Sequence, residues 1–209
     1  MFNNRVNVDL AAYRKITKDQ IVSVQISDAS SYFNTPINSG KSSNYGIEAM
    51  LNLVPIQTRT FKWEFTANTS YNKTKVLEVS TPAFGRASEG LLTASTPRTK
   101  YVFSGDWQLQ GFGLHANLTR YGSVIRRGDA DDGSQDQKFA ARWLLDLSAS
   151  YAWQAWTFTA GVDNLTNQYP TKASLANVYE DRADGLQYSS LSPFGFNGRY
   201  WYGKVAYRF

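Results

Sequence analysis

The residues best equipped for chemistry sit in "RRGDADDGSQD", where Asp129, Asp131, Asp132 and Asp136 follow Arg126 and Arg127. Carboxylates at this spacing are superficially similar to a calcium loop. Gly133, however, comes one place earlier than the loop's invariant glycine, and no Glu fills the twelfth position. A solvated loop is the plainer account. Arg126 and Arg127 suit an anionic ligand, because a guanidinium can bind phosphate or carboxylate through two parallel hydrogen bonds; a solvated strand end is the default account of them. His115 is the single histidine and lacks nearby sequence partners for a metal. "GFG" at 111–113 has no strand–turn–helix context and is a turn, not a nucleotide site. The absence of Cys removes thiol nucleophiles, disulfides and zinc–thiolate sites together. No nucleophile–base pair or metal cluster emerges, so the sequence predicts neither an enzyme nor a cofactor.

The elements that must hold these residues are strands. Eight stretches alternate with period two: 5–15, 43–54, 61–75, 100–110, 112–124, 142–153, 156–167 and 199–209. None of the chain keeps a helical period long enough to compete. No apolar run reaches the length of a membrane helix. The net charge of +5 comes from scattered cations that never form a basic arm, which argues against nucleic acid as partner. The N-terminus lacks the basic, apolar and small-residue succession of a signal peptide.

Sorting each stretch by alternate positions separates two chemistries. One row holds Val6, Val8 and Leu10, then Tyr45, Ile47 and Leu51, then Trp63 and Phe65, and continues through Tyr101, Phe103, Leu114, Leu118, Leu145, Leu147, Phe158 and Val162 to the C-terminus. It carries no charge. The interleaved row carries Asp9, Glu48, Glu64, Asp106, Asp146, Lys204 and Arg208, with His115 among them. Aromatics gather at the strand ends. Trp63, Trp107, Phe112, Trp153, Trp156, Tyr207 and Phe209 lie beside short connections, and Tyr13, Tyr45, Tyr71, Tyr101, Trp143 and Trp201 lie toward long ones. Connections alternate accordingly: "PIQTRT", "QGF" and "QA" at one end, and four long Ser-, Asp-, Gly- and Asn-rich loops that need no packing at the other.

Two aromatic girdles around an uncharged band, with sorted loops, predict an all-β antiparallel outer-membrane β-barrel segment of about eight strands. It has short periplasmic turns and long extracellular loops. Its surroundings are bacterial outer-membrane lipid and lipopolysaccharide, whose phosphates Arg126 and Arg127 are placed to meet. The strand ending on Phe209, with Trp201, Gly203, Val205 and Tyr207 on the same row, resembles the signal by which the barrel-assembly machinery recognises such proteins.

Three motifs narrow the resemblance. "INSGKSSNYGIEAML" at 37–51 is similar to a recurrent strand of TonB-dependent receptors, with Gly46 and Glu48 in matching places. "GVDNLTNQYP" at 161–170 resembles their penultimate strand, through Asp163, Asn164 and Leu165. "SPFGFNGRYWYGKVAYRF" at 192–209 resembles their final loop and strand. The resemblance implies a large plugged barrel that imports a scarce nutrient (siderophore-iron, cobalamin or oligosaccharide) using energy passed through TonB. Residues 1–209 would be the C-terminal segment of that barrel, without the plug domain or the TonB box, and not transport-competent alone. TonB would be reached only through the missing N-terminal part. Arg126, Arg127, Asp129, Asp131, Asp132, Tyr179, Glu180 and Phe194 are the candidates for contact with an extracellular ligand of unknown identity. The alternative is a self-contained eight-stranded barrel with a structural or adhesive role, its lumen filled by side chains.

Overall fold

The computed structural model describes residues 5–19, 21–25, 34–38, 40–78, 85–128, 130–174, 187–189 and 191–209. In chain order the elements are β1 (Val6–Thr17), β2 (Ile21–Gln25), β3 (Asn34–Asn38), β4 (Lys41–Gln57), β5 (Phe61–Glu78) and the helix α1 (Arg86–Thr93). There follow β6 (Thr99–Leu109), β7 (Phe112–Tyr121), β8 (Val124–Arg126), β9 (Gln137–Phe139), β10 (Arg142–Trp153), β11 (Trp156–Asp163) and β12 (Tyr200–Tyr207). The eight predicted strands form one antiparallel sheet in the order β1-β4-β5-β6-β7-β10-β11-β12. Each pairs with its neighbour in the chain order of long strands, so the sheet is a simple meander.

The sheet is open. β1 pairs with β4 alone and β12 with β11 alone, leaving both outer edges without a partner among the described residues. A self-contained eight-stranded barrel requires β1 and β12 to meet. That closure is absent, which corrects the alternative reading.

The apolar rows point outward. Leu10 is 73% exposed and Trp201 65%, and Val8, Ile47, Phe112, Leu114, Trp153 and Val205 are also largely exposed. Fully buried apolar residues are few among the described ones, and Ala94, Val124 and Phe139 lie in the loops rather than in the sheet. A soluble core would reverse this distribution. Between Trp63 and Tyr71 on β5 the eight-residue separation spans about 26 Å along the strand, enough for a tilted strand to cross a hydrocarbon layer.

Two local features depart from expectation. Residues 55–57, read as turn, belong to β4. The register passes from Leu53↔Phe65 to Ile56↔Trp63, so Val54 and Pro55 oppose one residue in a β-bulge. Proline, with no N–H to donate, is at home there. The bulge returns Ile56 to the outer face beside Trp63. The stretch from Val76 to Thr99, one of the long loops expected to need no packing, contains α1. Eight residues are too few for helical periodicity to show in sequence, and so short a helix depends on what it docks against.

Candidate functional site

The polar face of the sheet is a hydrogen-bonded wall. Ser104 Oγ donates to Asn117 Oδ1 at 3.0 Å, and Asn117 Nδ2 donates to Asp146 Oδ2 at 3.3 Å. Asp146 Oδ1 accepts the Asn164 backbone N–H at 2.8 Å. The chain of bonds thus crosses β6, β7, β10 and the end of β11. Nearer the short turns, Glu64 accepts from Asn52 Nδ2 at 2.7 Å and from Lys62 Nζ at 2.6 Å. His115 Nδ1 and Asp106 Oδ1 lie 2.9 Å apart. Alternation along the strands places all these groups on one face, as the sequence predicted. Their mutual bonding makes them a continuous polar wall.

Gly46, Asn164 and Leu165, three of the motif positions, have a local physical role in the structure. Gly46 lies opposite Tyr13, whose ring rests on it: a Cβ there would stand 2.5 Å from Tyr13 Oη and 2.7 Å from the Tyr71 carbonyl oxygen. Tyr13, placed by sequence in the aromatic girdle, therefore packs on the polar face at the girdle's height. Tyr202 covers Gly161 in the same manner, with a Cβ at Gly161 falling 2.3 Å from the ring. Glu48 lines an open concavity of about 440 Å³ on the polar face, with Asp9, Asn68, Ser70 and Lys100. Asp163 ends β11, exposed, opposite Tyr200. Asn164 is 5% exposed and holds φ +52°, a conformation Asn tolerates better than most residues. Its Oδ1 accepts Gln168 N–H at 2.8 Å while its Nδ2 donates to Gln168 O at 2.7 Å, closing the turn after the strand. Leu165 N–H donates to Leu145 O at 2.7 Å and prolongs the β10–β11 pairing.

The loops that carry α1 and the β8–β9 hairpin are packed together, which corrects the expectation of solvated segments there. Arg86 of α1 grips Asp136, donating from Nη1 to Oδ1 and from Nη2 to Oδ2, the latter at 2.6 Å. Gly128 N–H also donates to Asp136 Oδ1 at 3.2 Å, and Arg86 Nη1 reaches Gly128 O at 3.3 Å. The hydrogen bonds from Arg86 hold the Asp136 carboxyl below its ordinary value, and Asp136 raises the Arg86 guanidinium in turn. Ile125 N–H donates to Ala94 O at 2.9 Å, Arg127 stands 3.9 Å from Glu89, and Val124 is 2% exposed in the contact. The β8–β9 hairpin and α1 are one unit.

Two of the acidic loop residues are committed to structure. Asp132 accepts the Ser134 N–H at 2.9 Å, which lowers its pKa, and Asp136 belongs to Arg86. Asp131 is exposed, and Arg126 sits at the end of β8. Asp129, Tyr179 and Glu180 lie outside the described residues. Among the described residues no group of three or more Asp, Glu or His is placed to hold a metal. Phe194 stacks on Tyr121 at 5.8 Å, and Tyr188 stacks between Tyr169 and Phe196 at 6.0 Å from each. These rings, not the carboxylates, dominate the long-loop end. Sequence reasoning missed Arg86, its pairing with Asp136, and the Tyr13–Gly46 and Tyr202–Gly161 pairs, because each depends on register or on long-range docking.

At the chain's end, Trp201, Val205 and Tyr207 share the outer face of edge strand β12. Gly203 lies between them, opposite Ala160, and Tyr207 packs on Trp156 at 4.7 Å and on Phe209 at 5.2 Å. Arg208 N–H donates to Ala155 O at 2.8 Å, tying the last residues to the β10–β11 turn.

An open meander with outward apolar rows and a polar inner wall can be compared with known proteins. Residues 1–165 match the family described as TonB dependent receptor-like, beta-barrel. TonB-dependent receptor P39 of Formosa agariphila is 34% identical over 80 residues, which are 38% of this chain and 8% of that protein. TonB-dependent receptor P26 of the same organism is 35% identical over 79 residues, again 38% of this chain and 8% of its own length. The matched part is thus a small fraction of either relative. Among solved structures, the copper transporter OprC aligns over 99% of this chain and 29% of its own, with TM-score 0.66 and 17% identity. The pyoverdine receptor FpvA from Pseudomonas aeruginosa PAO1 aligns over 100% of this chain and 28% of its own, with TM-score 0.64 and 12% identity. The family match covers most of the chain, and the fold agrees with it: this is a protein of the TonB-dependent receptor β-barrel family, resident in the bacterial outer membrane.

Proposed function

We propose that the chain is the C-terminal portion of the barrel of a receptor that imports a scarce nutrient, of the siderophore-iron, cobalamin or oligosaccharide class. One observation carries the reading. The described sheet has two unpaired edges, and an open edge is costly in lipid, where every backbone N–H and C=O must find a partner within protein. Further strands of the same receptor fill both edges, and the polar face becomes part of a larger lumen. The plug and the TonB contact come from that remainder, and the barrel-assembly machinery reads the β12 row. Import, not catalysis, is the activity, and the eight strands alone do not transport. That FpvA is described bound to pyoverdine and OprC as a copper transporter supports uptake in general without choosing a cargo. Arg126, Arg127 and the Tyr121–Phe194 stack stand where an arriving ligand meets the loops.

The test is heat-shift electrophoresis of the chain in detergent, with conductance in planar bilayers. The reading predicts no compact heat-modifiable species and no discrete channel from the chain alone. A compact, heat-modifiable monomer would show that the chain closes on itself, and the segment reading would fall.

A further inference from the structure

Three of the long loops are chained together through one hairpin. On one side β8–β9 meets α1. The Arg86 fork holds Asp136, and Ile125 N–H donates to Ala94 O at 2.9 Å. Gly90 lies against Arg127, where an added Cβ would stand 2.7 Å from Arg127 Cβ. On the other side the hairpin meets the loop that follows β11. Gln137 Nε2 donates to Lys172 O at 2.8 Å, and Gln137 Oε1 accepts the Ser174 N–H at 2.8 Å. Its side-chain amide thus serves that segment as the backbone of a further strand would. Ala140 N–H donates to Thr171 Oγ1 at 3.1 Å, and Arg142 Nε donates to Tyr169 O at 3.0 Å. The two joints leave from consecutive residues, Asp136 and Gln137, and part in opposite directions, as neighbouring side chains of an extended chain do.

The contact between the hairpin and the last loop is also filled. Val124 pairs with Phe139 across the hairpin, and both are buried. With Pro170, Pro193 and Phe194 they surround a void of only about 20 Å³. That is room for about one water and not for a ligand. The last loop is tied in turn to itself and to the start of β12: Ala173 N–H donates to Gln187 O at 3.0 Å, and Arg199 N–H donates to Asn167 Oδ1 at 2.9 Å.

None of these pieces is large enough to keep its shape alone. α1 has eight residues, the β8–β9 ladder has three residue pairs, and Lys172 meets Tyr188 in a single bridge. Isolated helices below about 12 residues are marginal in water, and a lone hairpin is no better. Each piece is ordered by its neighbour, and the hairpin is the neighbour that the other two share. We propose that α1, the β8–β9 hairpin and residues 169–174 form one cooperative unit at the long-loop end, with Asp136 and Gln137 as its joint. Arg86 bonds Asp136 and Gly128, neither of them in the last loop, yet loosening Arg86 loosens that loop through the hairpin. A contact that moves one loop is felt at the others, because packed segments pass displacement on. The inference goes beyond nutrient import and holds whichever cargo is carried.

The test is backbone hydrogen exchange, followed by mass spectrometry, in the whole receptor that contains this segment, purified in detergent. Arg86→Ala should speed exchange about fivefold, as loss of a partly exposed ion pair does. The effect should appear in α1 and the hairpin and also in the peptide that carries Ala173 and Ser174, with β6 and β7 unchanged. Gln137→Ala should act in the other direction and speed exchange in α1. The double variant should fall short of the product of the two effects, since one unit opens once. Lys138→Ala, at an exposed position of β9, should change none of the three peptides. Heat-modifiable migration shows that each variant is folded, and Arg86→Lys, which keeps the charge without the fork, carries the test if Arg86→Ala is not. An Arg86→Ala effect confined to α1 and the hairpin, or a fully multiplicative double variant, overturns the proposal and makes the loops independent. Equal loosening of the strands overturns it as well, because the unit would then not be separate from the sheet.

Discussion

Two glycines on the polar face allow a sharp test of what disfavours a side chain at position 46. At Gly161 the three atoms nearest an added Cβ all belong to the Tyr202 ring, at 2.3, 2.5 and 2.7 Å. At Gly46 two belong to Tyr13, at 2.5 and 2.6 Å, and the third is the Tyr71 backbone oxygen at 2.7 Å. A ring can swing away. A carbonyl within a sheet cannot, unless β4 and β5 separate locally. Overpacking a well-fitted site costs about 1–3 kcal/mol. Gly161→Ala should therefore fall near the low end, about 1 kcal/mol, and Gly46→Ala near the upper end, about 2–3 kcal/mol. Double mutants separate the causes. In the Tyr202→Ala background, Gly161→Ala should become nearly neutral, because its clash has gone. In the Tyr13→Ala background, Gly46→Ala should still cost about 1–2 kcal/mol, since the Tyr71 oxygen remains. The assay is urea unfolding of the whole receptor that contains this segment, reconstituted in liposomes and followed by Trp fluorescence. If Tyr13→Ala relieves Gly46→Ala completely, the backbone contact is not what penalises a side chain there and the reasoning fails.

Other expectations follow from the same geometry. Asp136→Asn weakens the grip of Arg86 and should raise protease sensitivity between α1 and the β8–β9 hairpin while the strands stay protected. Because the folded Asp136 value lies below the ordinary 3.8, its contribution is fully present above that pH and is lost as pH falls through the lowered value. Protease sensitivity of the parent loops should therefore rise only under that acid condition, and Asp136→Asn should abolish the dependence. Asn164→Ala leaves the Gln168 N–H and C=O without their partner beside a buried side chain and should cost about 1–3 kcal/mol in urea unfolding. Ala116→Arg places a charge on the outward face midway between Arg120 and Phe112 and should cost about 2–4 kcal/mol. Ser70→Arg, on the polar face beside Glu48, should stay within about 0.5 kcal/mol. Equal losses for the two arginine substitutions would reverse the assignment of faces.

The sequence by itself determined the strands, their two faces, the sorting of short turns from long loops and the direction of the apolar rows. All of these follow from a period of two and from local turn chemistry, which neighbouring residues carry in full. It located the motif positions Gly46, Asp163 and Asn164 but not their reasons, since a ring resting on a glycine depends on the register between strands. Arg120 continues the outward row of β7, and its cross-strand neighbours Tyr101 and Trp143, with ring centres 5.6 and 5.9 Å from the guanidinium carbon, are supplied by register alone. Tertiary structure alone decided that the sheet stays open, that Pro55 sits in a bulge, and that Arg86 and Asp136, fifty residues apart, join two loops into one cap. Closure and docking are contacts between distant segments, decided by backbone geometry and by which partner each exposed donor finds, and no local pattern of residue types encodes them.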